Sequence, residues 1–293
     1  MASPSQATRV RARVLENVPI ARDTFRLRIE SREIARRILP GQFVMIRPGT
    51  GNDPLLGRPF ALYDVARNAN GDSYAIDVVY LVVGRGTAEL ARRKEGDMLD
   101  VWGPLGNGFS APPVGEVLFV AGGIGQTPFL ALGKWWLGSE SFGDEKVSFA
   151  NAPVARATLL YGVRSRELIA GSEDFRRAGI ALEIATDDGS DGRKGFVTQL
   201  LRERLERGER PEKIVACGPP LMLQAVSKLI ESHQIPCDLS LENHMACGFG
   251  ACFSCVAPIK QADGSIDLKR VCVEGPIFAR EVVAWPDSLK SLS

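Results

Sequence analysis

The chain has 293 residues, 45% of them hydrophobic and 24% charged, with a formal net charge of +1. That is an ordinary globular composition, long enough for about two or three domains with a substantial core, and its near-neutral balance argues against a nucleic-acid or acidic-membrane surface. No apolar run approaches the roughly 18 residues of a membrane span, and Met1–Arg13 has arginines without the apolar stretch of an export signal, so a reducing cytoplasm is the expected compartment.

Residues 1–112 read as β structure. Thr24–Ile29 alternates with period two, Gln42–Arg47 does so more loosely, Tyr74–Val83 is a long β-prone run and Asp100–Trp102 a short one. Glycine and proline pairs at Pro40-Gly41, Pro48-Gly49 and Gly103-Pro104 punctuate them, which predicts a small antiparallel barrel or sandwich. A short helix is expected over Thr87–Arg93, with Thr87 as its start signal and Gly96 beyond its end. Two segments stand out. Arg58-Pro59-Phe60-Ala61 sets a cation before a rigid proline and an aromatic, and Gly84-Arg85-Gly86-Thr87 links a strand to that helix, where backbone amides suit a phosphate. Together they fit the ring and pyrophosphate of a flavin; the plainer reading is a surface charge and a tight turn.

Residues 113–232 alternate strand and helix, the pattern of an open parallel sheet. Glu116–Ala121 is a continuous apolar run, as in a strand buried on both faces. The turn Gly122-Gly123-Ile124-Gly125-Gln126-Thr127-Pro128 follows, then helix-like Phe129–Leu137. It departs from the dinucleotide fingerprint by placing Pro128 where a third glycine is usual, yet its position suits a pyrophosphate at a helix N-terminus. Residues 138–155 read as a polar loop. Further strands are expected at Ala157–Gly162, Ile180–Ala185 and Ile214–Cys217, with helices at Phe196–Arg207 and Leu221–His233. Gly122, Gly162, Thr186–Gly189 and Cys217-Gly218 all fall at carboxyl ends of strands, where such sheets bind ligands. Cys217 there is placed for a nicotinamide, or is a small buried hydrophobe, as Cys237 is expected to be. The acid that would read an NAD ribose is not evident, and Arg164 and Arg166 suit a 2′-phosphate equally, so NAD and NADP stay open.

In residues 233–293, four of the six cysteines fall within the 26 residues 247–272. Cys247, Cys252 and Cys255 have the C-x4-C-x2-C spacing of plant-type [2Fe–2S] proteins, and Cys272 supplies a fourth thiolate. Gly248 and Gly250 let the backbone wrap close to such a core. A zinc site normally pairs two short knuckles, and only one is present; disulfides fit poorly without export. Strands are expected at Ile235–Leu241, Val256–Ile259 and around Val271–Val273, with a hairpin turn at Asp263-Gly264. About 60 residues make a thin core, so the metal centre and packing on the other domains must supply the difference.

These motifs in this order, with Gly103–Phe109, Tyr161-Gly162-x-Arg164, Ala216–Pro219 and Gly275–Phe278, resemble the ferredoxin–NADP reductase superfamily. The tail Leu241-Glu242-x-x-Met245-Ala246-Cys247 and its cysteines are similar to the electron-transfer subunits of type B, NAD-linked dihydroorotate dehydrogenases. The resemblance covers nearly the whole chain. It implies an antiparallel FAD-binding β-barrel (1–112), a Rossmann-like parallel α/β NAD domain (113–232) and a small β-rich [2Fe–2S] domain (233–293). It implies FAD on Arg58, Pro59, Phe60, Ala61, Val79, Tyr80, Leu81, Gly86 and Thr87; NAD on Gly122, Gly123, Gly125, Cys217 and Gly218; and the cluster on Cys247, Cys252, Cys255 and Cys272. It further implies an FMN-containing, dihydroorotate-oxidising partner subunit in an α2β2 assembly, serving pyrimidine synthesis. Ala61 departs from relatives with a hydroxyl there. Two alternatives are an FAD subunit of an NAD(P)H–ferredoxin or sulfide-dehydrogenase-like complex, in which aspartate tends to replace Cys247, and a zinc-stabilised, non-enzymatic interaction module.

Overall fold

The computed structural model describes residues 7–49, 51, 53–144 and 154–285. Residues 145–153 of the loop expected over 138–155 lie outside them.

The first sheet comprises β1 (Thr8–Ala21), β2 (Thr24–Glu30), β3 (Phe43–Arg47), β4 (Arg58–Ala61), β5 (Asp64–Arg67), β6 (Ser73–Leu81) and β7 (Met98–Leu105), with short helices α1 (Arg32–Arg37) and α2 (Arg85–Ala91). Its order is β4-β3-β7-β1-β2-β6-β5, and all its pairings are antiparallel. The expected closed barrel is not formed: this is an open half-barrel, because β4 and β5 are its two edges and do not pair. The chain between them explains why. Leu62 and Tyr63 are fully buried, and their amides leave the ladder, Leu62 donating to Gln42 O at 3.0 Å and Tyr63 to Asp77 O at 2.9 Å. The carbonyl of Tyr63 accepts the amide of Ala131 from the other half of the molecule at 3.1 Å. The gap is therefore filled by docking rather than by a hydrogen-bonded seam. Across it β4 meets β6 through side chains, with Phe60 edge-on to Tyr80 at 5.7 Å.

The second sheet comprises β8 (Glu116–Gly122), β9 (Arg156–Val163), β10 (Ala181–Thr186), β11 (Arg193–Lys194), β12 (Lys213–Cys217), β13 (Cys237–Ser240) and β16 (Ile277–Ala279) in the order β11-β10-β9-β8-β12-β13-β16. Its pairs are parallel except β13 with β16. It is served by α3 (Phe129–Trp136), α4 (Ser172–Arg177), α5 (Val197–Glu206) and α6 (Pro220–Ile230). From β8 the chain runs outward through β9 to β11, then returns to the other side of β8 as β12. The order thus reverses between β8 and β12, the place where open α/β sheets form a ligand crevice. Phe119 of β8 stacks on Phe129 of α3 at 5.0 Å, and both are fully buried; burying such a ring contributes about 2–3 kcal/mol. The remaining hairpin is β14 (Val256–Lys260) with β15 (Ile266–Arg270), turning at Asp263-Gly264. The return strand expected around Val271–Val273 ends earlier, at Arg270. Val271 donates to Cys255 O at 2.9 Å and Val273 to Arg270 O at 3.1 Å, a turn that folds Cys272 back onto the cysteine loop.

A polar seam joins the two halves beside a cleft of about 430 Å³ lined by Arg26, Arg28, Asp64 and Lys134 among others. Lys134 of α3 binds Asp64 of β5 at 2.6 Å and Glu140 at 2.9 Å, and all three side chains are largely shielded. Burial raises the Asp64 pKa, and Lys134 offsets part of that rise. Lys134→Met would leave two carboxylates facing each other. We expect a stability loss of about 2 kcal/mol, reduced from a fully buried pair by partial exposure, read as a lower denaturant midpoint. The loss should be largest above the carboxylates' titration range and shrink as pH falls through it, because protonation removes the repulsion. Among the described residues no helix is long and apolar enough to cross a membrane.

Candidate functional site

Three groups of side chains meet where the two halves and the C-terminal segment join. In the first, Arg58 begins β4 and turns toward α2: a Cβ added at Gly86 would lie 3.3 Å from its Nε. Its Nη1 donates to Leu56 O at 3.0 Å and to Gly57 O at 3.1 Å, which pins the guanidinium over its own turn. The helix starts at Arg85, two residues before Thr87. Thr87 acts from inside the first turn, its Oγ1 accepting the amides of Val83 at 3.0 Å and Gly84 at 3.2 Å. Val79 and Tyr80 are buried. Tyr80 packs between Phe25 and Phe60 and donates to Asn17 Oδ1, so its side chain belongs to the core and only strand backbone and half-buried Leu81 face outward. An arginine, a glycine turn and a hydroxyl-braced helix start thus converge on one face. This arrangement fits a diphosphate with a flat ring beside β4.

The second group lies at the topological switch. Gly125 packs directly on the end of β12: a Cβ there would strike the Cys217 carbonyl oxygen and come within 2.8 Å of Gly218 Cα. A Cβ at Gly122 would sit 2.6 Å from Met222 Sδ. The ends of β8 and β12 are therefore in backbone contact, and the glycines permit it. Gly123 is unlike them, with φ +56° and open space in front of it. Ser240, the last residue of β13, is in register with Cys217, and Glu242 follows two residues later with its Oε1 4.0 Å from Cys217 Sγ. Burial, then the nearby Glu242 carboxylate, pushes the Cys217 thiol well up. Burial likewise raises the Glu242 carboxyl. Yet Glu242 has exposed surface. It therefore stands at the surface, beside the end of β12, rather than in the core. Sequence reasoning noted Glu242 only as part of the tail pattern; its position two residues beyond a sheet strand was the available signal. Cys237, by contrast, is a buried core residue.

The third group is the cysteine loop. All six cysteines are free thiols. Cys255 and Cys272 are buried, Cys247 is half-buried and Cys252 exposed. The four are linked pairwise: Cys252 with Cys247, and Cys272 with both Cys255 and Cys247. Among the described residues no three His, Cys, Asp or Glu side chains converge as a ready site for one ion. Hydrogen bonds from Ser254, first its side chain and then its backbone, followed by Cys247, pull the Cys252 thiol down to about 6. Burial, then Cys255, pushes Cys272 up to about 12. Gly248 has φ +81°, and a Cβ there would approach Met45 Cγ at 2.5 Å, so the loop lies flat on β3 and β7. Trp102 of β7 donates its Nε1 to Cys247 O at 2.9 Å. Asn107 anchors the far side, donating to Ile277 O and accepting the Ile277 amide, each at 3.0 Å. Three thiols on a loop braced by the first sheet, with Cys272 folded back onto it from the end of β15, are soft donors that fit an iron–sulfur centre.

Residues 242–284 match the iron-sulfur cluster binding domain of dihydroorotate dehydrogenase B, and residues 119–228 match the oxidoreductase NAD-binding domain. The electron transfer subunit of dihydroorotate dehydrogenase B (NAD(+)) from Desulforamulus reducens is 35% identical over 94% of this chain and 97% of its own. The chain belongs to that family of electron transfer subunits. The corresponding subunit of Geobacillus thermodenitrificans is 36% identical, over 94% of this chain and 98% of its own. Among solved structures, the NADH-dependent reduced ferredoxin-NADP oxidoreductase superposes with a TM-score of 0.77 at 30% identity, covering 96% of this chain and 92% of that one. A cytochrome P450 reductase from Amycolatopsis superposes at 0.60 and 23% identity, a likeness of fold alone.

Proposed function

We propose that this chain is the electron-transfer subunit of an NAD-linked dihydroorotate dehydrogenase, working beside an FMN-containing subunit that oxidises dihydroorotate to orotate, in an α2β2 assembly in the cytoplasm. The observation that carries the reading is the closeness of the three groups. Only Glu242 to Ala246 separate the nucleotide crevice from Cys247, and Cys247 hangs from Trp102 of the sheet that carries Arg58. When bound, a [2Fe–2S] cluster and FAD supply the passage between single electrons and a hydride on NAD⁺. The chain's own residues do the holding. Cys247, Cys252, Cys255 and Cys272 are the cluster ligands, with Gly248 letting the loop close. Arg58 through Ala61, the backbone of Val79–Leu81, and Gly86 with Thr87 cradle the flavin. Gly122, Gly123, Gly125 and Gly218 admit the dinucleotide, and Cys217 with Glu242 faces its nicotinamide. Exposed Cys252, flanked by exposed Phe249 and Phe253, marks the edge toward the partner.

The test is the visible spectrum of anaerobically purified protein, before and after NADH, with and without the co-expressed partner. Flavin bands with a broad iron–sulfur shoulder, both bleached by NADH, and co-purification with a dihydroorotate-oxidising subunit are expected. A colourless zinc protein indifferent to NADH would leave the interaction module. A coloured protein that exchanges electrons with ferredoxin and ignores dihydroorotate would favour the ferredoxin-linked reading.

A further inference from the structure

One side chain touches both the flavin cradle and the cysteine loop. Trp102 lies in β7, an inner strand of the first sheet, in register with Arg9 of β1 on one side and Met45 of β3 on the other, so the backbone beneath it is held from both sides. Met45 is in turn in register with Pro59 of β4, which sets the three residues abreast on one face of the sheet. The indole spans part of that face. At one end its Nε1 donates to Cys247 O at 2.9 Å. At the other its benzo edge occupies the space a side chain would take at Gly57, where a Cβ would lie 2.5 Å from Cη2 and 3.1 Å from Cζ2. Gly57 lies outside the left-handed region, so glycine is there for room rather than for its dihedrals. The Gly57 carbonyl accepts from Arg58 Nη1 at 3.1 Å. A short chain of direct contacts therefore runs from the Arg58 guanidinium through Gly57 and the indole to the backbone of Cys247. Met45, packed against Gly248, gives the loop a second support that does not involve the indole.

We infer that Trp102 is a positioning residue, a rigid spacer that sets the distance between the cysteine loop and the flavin cradle. This rests on the reading of both sites above. The ring suits the task because it is planar and incompressible, and its two side-chain torsions are fixed by the contacts at its ends. The distance matters because orbital overlap between two redox centres decays exponentially with their separation, so a small shift of the loop changes the rate of electron passage steeply. The indole is neither oxidised nor reduced in this role; each electron lost by one centre is gained by the other.

The experiment disturbs one end of the indole and reads the other, in the complete two-subunit complex. Gly57→Ala adds no contact to any cysteine, but its Cβ must tip the ring and draw the indole N–H off Cys247 O. The EPR signal of the dithionite-reduced complex should shift in that variant. After mixing with NADH, the bleaching of the iron–sulfur shoulder that follows the flavin bands should slow by about tenfold. Trp102→Phe removes the N–H and the benzo edge while keeping an aromatic ring, and should act in the same direction, with the flavin bands reporting that each variant is folded. The two substitutions together should do no more than Trp102→Phe alone, because the edge that the new Cβ strikes is gone. A Gly57→Ala complex with a wild-type EPR signal and a rate within about twofold of wild type, or a further loss when the two are combined, overturns the spacer role while the cofactor sites stand. A wild-type protein that holds no flavin or no cluster overturns the sites and the inference together.

Discussion

Cys252→Ser should abolish dihydroorotate-driven reduction of NAD⁺ in the two-subunit complex, by about 100-fold or more, and leave NADH-to-ferricyanide activity within about twofold of wild type. The asymmetry follows from where Cys252 sits. It is the exposed member of the cysteine set, on the outer rim of the loop, and its Sγ lies 3.2 Å from Ser254 Oγ. Serine keeps the size and removes the soft donor, so the loop retains its fold but loses a ligand. The nucleotide glycines, Cys217 and Arg58 do not touch Cys252 and stay intact, so hydride exchange with a dye through the flavin is spared. The visible spectrum checks the cause directly: the iron–sulfur absorption should fall with the flavin bands unchanged. If both activities dropped together in a folded protein, the order cluster, flavin, nucleotide would be wrong.

How much of this was legible in the sequence depends on the range of the interactions involved. The central strands of the second sheet were read from the sequence, most plainly where a strand buried on both faces is a continuous apolar run, as in Val117–Ala121; the short edge strands β11 and β16 and helix α4 were not, because two or three residues, or one turn or two of polar helix, carry no period. The cysteine spacing was legible for the same reason: its chemistry is local. The long β1 was not recognised as a strand. Its alternation at Val10, Ala12 and Val14 is interrupted by register shifts after Val14 and at Pro19, which blur the period. The half-barrel was read as closed because strand periodicity says nothing about which edges pair. That choice was made by buried Leu62 and Tyr63 and by a hydrogen bond from Ala131, far along the chain. Glu242 was visible as a letter, but its role depends on a neighbour from another strand. It acquires meaning only when β13 is laid beside β12.

Gly125→Val should remove NADH-dependent dye reduction, by about 100-fold, and lower stability by about 3 kcal/mol. The obstacle is backbone, not side chain. A Cβ at Gly125 meets the Cys217 carbonyl and the Gly218 Cα, neither of which can rotate aside, so β12 must move away from the turn that follows β8. That movement opens the crevice at the switch point, and it also shifts Cys217 relative to Glu242. Gly179→Ala, at the turn after α4, is the control that separates strain from clash. Gly179 has φ +76° and nothing within 4 Å of an added Cβ, so alanine there should cost only the left-handed penalty of about 1–2 kcal/mol. Both variants lose stability, but only Gly125→Val should lose nucleotide use out of proportion to it. The comparison is made by titrating ADP into folded protein at low temperature, where both variants remain native. Equal ADP affinity in the two variants would mean that the contact between Gly125 and Cys217 holds the sheet together without shaping the nucleotide site.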